Sequence, residues 1–81
     1  MFRKPVKATE IEIDGHRYAV HYFEQKTVRG GRRFSCEVIL GSTDRIIVDD
    51  DSMPSLESKV ERLAAATIYS RLLAGWTPVA A

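Results

Sequence analysis

The sequence predicts an α+β domain in which a four-stranded antiparallel meander sheet is followed by one C-terminal helix packed on one face, in the order ββββα. Two segments of alternating apolar and polar residues flank a turn dipeptide. Two more apolar segments follow after short polar loops, and the last third of the chain has helical periodicity. Alternation with a period of two indicates strands, whereas a period near 3.6 indicates a helix.

The length and composition predict one domain that spans residues 1–81. With 81 residues, of which 44% are hydrophobic and 28% charged, the chain lacks the roughly 50 further residues that a second core would need. We expect residues 1–6 and 77–81 to be loosely ordered tails. The start "MFRKPVK" lacks the apolar stretch of a secretory signal, and the longest weakly charged run is too short to span a bilayer. We therefore expect a cytoplasmic protein with no membrane partner.

The first two strands are predicted within "ATEIEIDGHRYAVHYF". The central dipeptide, Asp14-Gly15, tolerates the positive φ values of a two-residue type I′ turn, which is the commonest short hairpin turn. Such a turn also places an opposite-charge pair on the solvated face, which favours this register. It pairs Ile13 with His16, Glu12 with Arg17, Ile11 with Tyr18, Glu10 with Ala19 and Thr9 with Val20.

The third strand is predicted within "RRFSCEVILG". A preceding loop with an odd number of residues keeps its apolar side on the same face as that of the second strand, whereas an even loop turns it away. We therefore predict an odd loop, such as Arg29-Gly30-Gly31, with a left-handed glycine in a bulged turn. This loop would pair Val28 with Arg32, Tyr22 with Val38 and Val20 with Leu40.

The fourth strand and the helix are predicted within "DRIIVDD" and the segment after it. Three consecutive apolar residues leave the register of the fourth strand open. Ser52 or Ser55 can cap a helix that begins near Pro54, and Gly75 can stop it after Ala74. We interpret Asp49–Asp51 as the end of the strand and as a partner of the helix dipole, not as a cation site.

The helix has two apolar stripes. The first, which we expect to pack on the sheet, contains Leu56, Val60, Leu63, Thr67 and Ala74. Because a helix about 10 Å across cannot cover a four-stranded sheet about 15–20 Å wide, a second copy of the chain is expected to cover the rest. The alternative is that the tail, with Trp76 and Val79, folds back as a lid. The predicted homodimer would form through the second stripe, chiefly Ile68, Tyr69, Leu72 and Trp76.

A basic hairpin provides an alternative function. Residues 1–33 carry eight Lys and Arg against four Asp and Glu, whereas residues 34–81 carry four against seven. An anionic partner is therefore expected on the N-terminal half. A basic β-ribbon can contact phosphates, and an exposed aromatic can stack on a base. The residues predicted for nucleic-acid binding are Lys26, Arg29, Arg32, Arg33, Arg17 and Phe23.

The sequence predicts no catalytic or metal-binding site. Cys36, the only cysteine, lies on the expected core face, where a thiol packs as a small hydrophobe. His16 and His21 are five residues apart on one strand, so they point to opposite faces and cannot share a metal. We therefore predict a small non-enzymatic interaction module without metal or cofactor that self-associates through its helix and binds an unidentified protein partner, or alternatively a nucleic-acid-binding protein.

Overall fold

A computed structural model describes residues 3–78 and has the predicted ββββα order. The elements are β1 (Arg3–Ile13), β2 (His16–Lys26), β3 (Arg32–Ile39), β4 (Arg45–Asp50) and α1 (Met53–Leu73). All neighbouring strands are antiparallel and lie in chain order, so β1 and β4 form the two edges of an open sheet. Helix α1 packs on one face, closest to β3 and β4. We call this the helix-side face and the opposite one the open face. The predicted fold class is confirmed.

The β1–β2 hairpin has the predicted turn and register. Asp14 and Gly15 both have positive φ, 54° and 81°, as a type I′ turn requires. Ile13 pairs with His16, and the pairing continues without interruption to Thr9 and Val20. A two-residue turn leaves the strands no freedom to slide, so this hairpin could be predicted residue by residue.

Strand β1 begins earlier than expected. Residues 3–6, predicted to be part of a loose tail, belong to this strand, and residues 3–5 pair with the end of β2, as Arg3 does with Gln25. The pairing shifts between Pro5 and Lys7, which makes Val6 the extra residue of a β-bulge. Residues 1–2 and 79–81 of the predicted tails lie outside the described residues.

The β2–β3 loop is odd, as predicted, but its position corrects the predicted register. Gly30 donates to the carbonyl of Thr27 at 3.0 Å, and Thr27 donates to the carbonyl of Gly31 at 2.8 Å. The loop is therefore Val28-Arg29-Gly30, with Gly30 left-handed at a φ of 82°. A loop starting one residue earlier shifts the pairing by two residues, which preserves the faces. Val20 consequently pairs with Val38 instead of Leu40, and Tyr22 with Cys36 instead of Val38.

Helix α1 has the predicted ends. Ser52 is the N-cap, and its hydroxyl accepts a hydrogen bond from the Ser55 amide at 3.4 Å. At the other end, Gly75 has a φ of 92° and donates to the carbonyl of Leu72 at 3.1 Å. Trp76 donates to the carbonyl of Arg71 at 2.9 Å, which completes a Schellman motif. This motif turns the Trp76 side chain back onto the core.

The core lies between α1 and the helix-side face, but the stripe of α1 that forms it differs from the prediction. Leu56 and Val60 are buried as expected, whereas Leu63 is 43% exposed and Ala74 is exposed. The residues buried on α1 follow a four-residue ridge, which packs into the sheet: Leu56, Val60, Ala64 and Ile68. The sheet contributes the buried residues Ile13, Tyr18, Val20, Tyr22, Cys36, Val38, Leu40 and Val48.

Candidate interaction surfaces

The basic hairpin tip places four predicted residues, Lys26, Arg29, Arg32 and Arg33, around the β2–β3 loop, and all four are exposed. Two of them already have acidic partners. Arg32 hydrogen-bonds to Glu24, which lowers the pKa of that carboxyl and raises the pKa of the guanidinium. Arg33 lies 2.6 Å from Asp51 and 3.6 Å from Asp49. These ion pairs reduce the charge that the tip can offer to phosphates.

The other two residues predicted for nucleic-acid binding do not form an open platform beside the tip. Arg17 lies near the opposite end of β2, nine residues from Lys26 and therefore about 30 Å away in an extended strand, and it pairs with Glu12 at 3.8 Å. Phe23 is partly buried, and the guanidinium of Arg3 lies 4.2 Å from its ring centroid. A base could stack on Phe23 only by displacing this cation.

Three exposed cations remain at this end of the sheet. Lys4, Lys26 and Arg29 form no ion pair with another residue in the range 3–78. Lys4 comes from the start of β1, which the sequence did not place in a strand. The structure therefore brings together a smaller basic cluster than the one predicted.

The residues predicted for self-association do not share one exposed surface. Ile68, which was predicted to lie in the interface, is fully buried against the sheet of its own chain and offers no surface to a second copy. Leu72 and Trp76 are partly buried and pack on the same core. Arg71 lies 5.8 Å from the Trp76 ring and pairs with Asp44, which helps to hold this end of the helix on the sheet. Trp76 thus folds back onto the core, as the alternative of a lid predicted, while Val79 lies outside the described residues.

A different set of apolar residues is exposed on α1. Tyr69 is 49% exposed and Leu73 is 91% exposed, in addition to the exposed Leu63. We call the outer helix face the surface formed by Leu63, Ala66, Tyr69, Ser70 and Leu73. Four of these follow the i, i+3, i+7, i+10 spacing of one helix side, with Tyr69 flanking them. Among residues 63–74 only Arg71 is charged, and it is tied to Asp44.

Leu73 is the interface candidate that the sequence did not reveal. Once the buried ridge at four-residue spacing is known, the sequence does indicate Leu73. It is a large apolar residue that falls outside this ridge and must therefore be exposed. Without that ridge, the nearly uniform apolar composition of residues 63–74 makes several stripes equivalent.

The open face carries a buried charge, although no helix covers it. Glu37 on β3 is only 6% exposed. Its carboxylate accepts a hydrogen bond from Arg45 at 3.0 Å and lies 3.6 Å from Arg3. Ser35, two residues earlier, is also buried and accepts a hydrogen bond from Gln25 at 3.3 Å. Side chains of the sheet itself therefore shield the middle of this face from solvent.

Cys36, His16 and His21 lie in separate environments. Burial raises the pKa of the Cys36 thiol to about 12, with a further contribution from Glu37, so the nucleophilic thiolate is suppressed. His16 and His21 are both exposed and lie on opposite faces of β2. No group of three His, Cys, Asp or Glu side chains in residues 3–78 is placed to hold a metal ion.

Helix α1, the one helix in residues 3–78, is not apolar enough over its length to cross a membrane. Comparisons of the chain with protein-family models, with curated proteins and with solved structures gave no match.

Proposed function

We propose that the protein is a small non-enzymatic interaction module that self-associates through the outer helix face. The observation that carries this proposal is Leu73, a leucine that is 91% exposed on a well-capped helix turn. Leu63 and Tyr69 extend the exposed apolar surface along the helix. Within residues 63–74 the one charge is Arg71, which is tied to Asp44. The exposed Arg62, four residues before Ala66, borders the surface at its N-terminal end.

A second copy fits this surface because the small residues Ala66 and Ser70 lie between the larger ones. Small side chains allow two helices to approach closely, while Leu63 and Leu73 fill the space at either end. A two-fold axis near the middle of the segment would place Leu73 of each copy near Leu63 of the other. One helix pair buries less than the roughly 1,200–2,000 Å² of typical stable interfaces, so we expect a dissociation constant in about the micromolar range.

The test is the mass in solution of the variant Leu73→Asp beside a matched control. Val28 at the hairpin tip is 95% exposed, so Val28→Asp adds the same charge at an equally exposed apolar position. We expect Leu73→Asp to be a folded monomer and Val28→Asp to associate like the wild type. If both variants keep the mass of the wild-type assembly, or both lose it, the outer helix face is not the interface.

Nucleic-acid binding is a second candidate, favoured by the cluster of Lys4, Lys26 and Arg29 at one end of the sheet. Three phosphate contacts would give a slope of about −2 to −3 for the logarithm of the affinity against the logarithm of the salt concentration. Fluorescence anisotropy of labelled single- and double-stranded oligonucleotides at low and moderate salt measures this slope.

The variants for this test must spare the existing ion pairs. Replacing Arg32 or Arg33 would also leave Glu24 or Asp51 without its partner, so a loss of binding could reflect a local change in structure. The double variant Lys26→Ala, Arg29→Ala avoids this difficulty and should abolish binding. Binding that ignores salt or survives this double variant argues against the candidate.

A further inference from the structure

Among residues 3–78, β1 is an edge strand, and its outward hydrogen-bonding groups pair with no other strand of the sheet. It has 11 residues, and those from Arg3 to Glu10 are all exposed. Helix α1 lies on the helix-side face nearest the other edge of the sheet, over β3 and β4, and so leaves the edge at β1 open. In an antiparallel ladder every second residue directs its N–H and C=O outward. Counted from the Ile13–His16 pair that closes the turn, the outward groups belong to Ala8, Glu10 and Glu12.

The two halves of this edge differ. The first half contains Pro5, the bulge at Val6 and the cations Lys4 and Lys7, which are features that prevent strand addition in natural sheets. The second half, Ala8–Ile13, contains none of them and pairs regularly with β2. A strand that adds to β1 would therefore pair with Ala8–Ile13.

The surroundings of this second half define what could bind there. On the helix side, a groove of about 380 Å³ runs beside the strand, lined by Ile11, Glu12, Ile13, Glu61, Ala65 and Tyr69. Besides Glu12 and Glu61, the residues that line it are apolar or aromatic. On the open face, Glu10 and Glu12 point outward beside the same edge, and Glu10 forms no ion pair within the described residues.

A second copy of β1 does not fit this edge. In a symmetric antiparallel pair one residue faces its own counterpart, and a pair confined to Ala8–Ile13 must be centred on Glu10 or Ile11. The first register places Glu10 opposite Glu10, and the second places Glu10 opposite Glu12. Like charges directly opposite each other destabilise a strand pair. A register centred on Thr9 brings the bulge at Val6 opposite Glu12 and interrupts the ladder.

We propose that the Ala8–Ile13 edge of β1 binds an extended segment of a partner protein in which apolar residues alternate with Lys or Arg. The main chain of the segment would pair with the outward groups of Ala8, Glu10 and Glu12, as in other cases of strand addition. Its apolar side chains would enter the groove beside Ala65 and Tyr69, and its cations would face Glu10 and Glu12. Tyr69 belongs both to this groove and to the outer helix face, whereas Leu63 and Leu73 do not line the groove. The two sites therefore adjoin at Tyr69, and the variant Leu73→Asp distinguishes them.

The test uses the full chain, labelled with ¹⁵N, and three seven-residue peptides with acetylated and amidated ends. The first alternates lysine with valine, and the second alternates glutamate with valine. The third, the block peptide, has all its lysines in one half and all its valines in the other. We expect the alternating lysine peptide to shift the amide signals of Ala8–Ile13 and to bind at least about tenfold more tightly than the glutamate peptide. The block peptide should bind about as weakly as the glutamate peptide, because it cannot present one apolar and one cationic face.

Two variants connect binding to the edge. Ala8→Pro removes an outward N–H without removing a hydrogen bond to β2, so it should fold and lose the peptide. If Ala8→Pro does not fold, Glu10→Lys tests the proposal instead. The cross-strand neighbour of Glu10 is the uncharged Ala19, so this variant should fold. It should bind the glutamate peptide more tightly than the alternating lysine peptide. The same peptide binding in Leu73→Asp would separate this site from the outer helix face. Equal binding of all three peptides, shifts located elsewhere, or β1 shifts that depend on protein concentration alone would overturn the proposal.

Discussion

Arg45 donates a hydrogen bond of 3.0 Å to the buried carboxylate of Glu37 on the open face of the sheet. The side chain of Glu37 is only 8% exposed, whereas that of Arg45 is 43% exposed. The carboxylate depends on its cationic neighbours, since a buried charge without a partner is strongly unfavourable. Arg3 supplies the second cation from the start of β1, which links the edge strand to the centre of the sheet.

Removing this charge should destabilise the fold. We expect Glu37→Gln, which keeps the size of the side chain, to lower the free energy of unfolding by about 1–2 kcal/mol, since both cations are partly exposed and screened by solvent. Urea unfolding monitored by circular dichroism measures the change. Glu10→Gln is the matched control, because Glu10 is exposed and should change stability by less than about 0.5 kcal/mol. Equal stabilities for the two variants would contradict the role assigned to Glu37.

Asp50 should make stability dependent on pH in the acid range. Its carboxylate accepts hydrogen bonds from the Ser55 hydroxyl at 2.7 Å and the Asp51 amide at 2.6 Å. These bonds, together with Lys59, lower the pKa from 3.8 to about 2. Because the folded state holds the ionised form, the stabilisation is complete above the unfolded pKa of 3.8 and is lost as the pH falls toward 2.

The variant Asp50→Asn isolates this contribution. The wild type should be more stable than the variant at pH 7, and the difference should shrink as the pH falls below 4. Denaturant unfolding of both proteins at pH 7, 4 and 2.5 measures it. A difference that stays constant over this range would mean that the charge of Asp50 does not stabilise the helix start.

Truncation to alanine should lower the stability of the fold at Ile68 but leave it nearly unchanged at Leu73. Ile68 has no exposed surface, so Ile68→Ala should lower the free energy of unfolding by about 2–4 kcal/mol. Leu73 is almost fully exposed in one chain, so Leu73→Ala should leave the stability of the dilute monomer within about 0.5 kcal/mol of wild type. Thermal unfolding at low protein concentration tests both. Comparable losses would mean that the packing of α1 on the sheet has been misassigned.

The strand pairings show what the sequence could and could not specify. The Asp14-Gly15 turn determines the pairs from Ile13 and His16 as far as Lys7 and Tyr22, because a two-residue loop permits one register, but the shift at the bulge could not be predicted from it. Between β2 and β3 the alternation specified only the parity of the loop. Registers that differ by two residues bury the same faces, and choosing between them required the turn geometry around Gly30.

The surfaces were harder to predict than the fold. The contiguous apolar residues of α1 made two stripes comparable, and only the packing on β3 and β4 selected the ridge that ends at Ile68. The acidic partners of Arg32 and Arg33 also depend on the β2–β3 and β3–β4 registers. The sequence alone therefore did not reveal that ion pairs neutralise part of the positive charge of the hairpin. The lid formed by Trp76 was an alternative that the sequence raised but could not select.

The measurement that most directly tests self-association is sedimentation equilibrium of the wild-type chain from about 1 to about 500 μM, a range that brackets a micromolar dissociation constant. We predict that the average mass rises with concentration from the 9.1 kDa of one chain toward twice that value. A mass that stays at 9.1 kDa throughout this range would contradict the proposed interface and leave the outer helix face as a solvated surface.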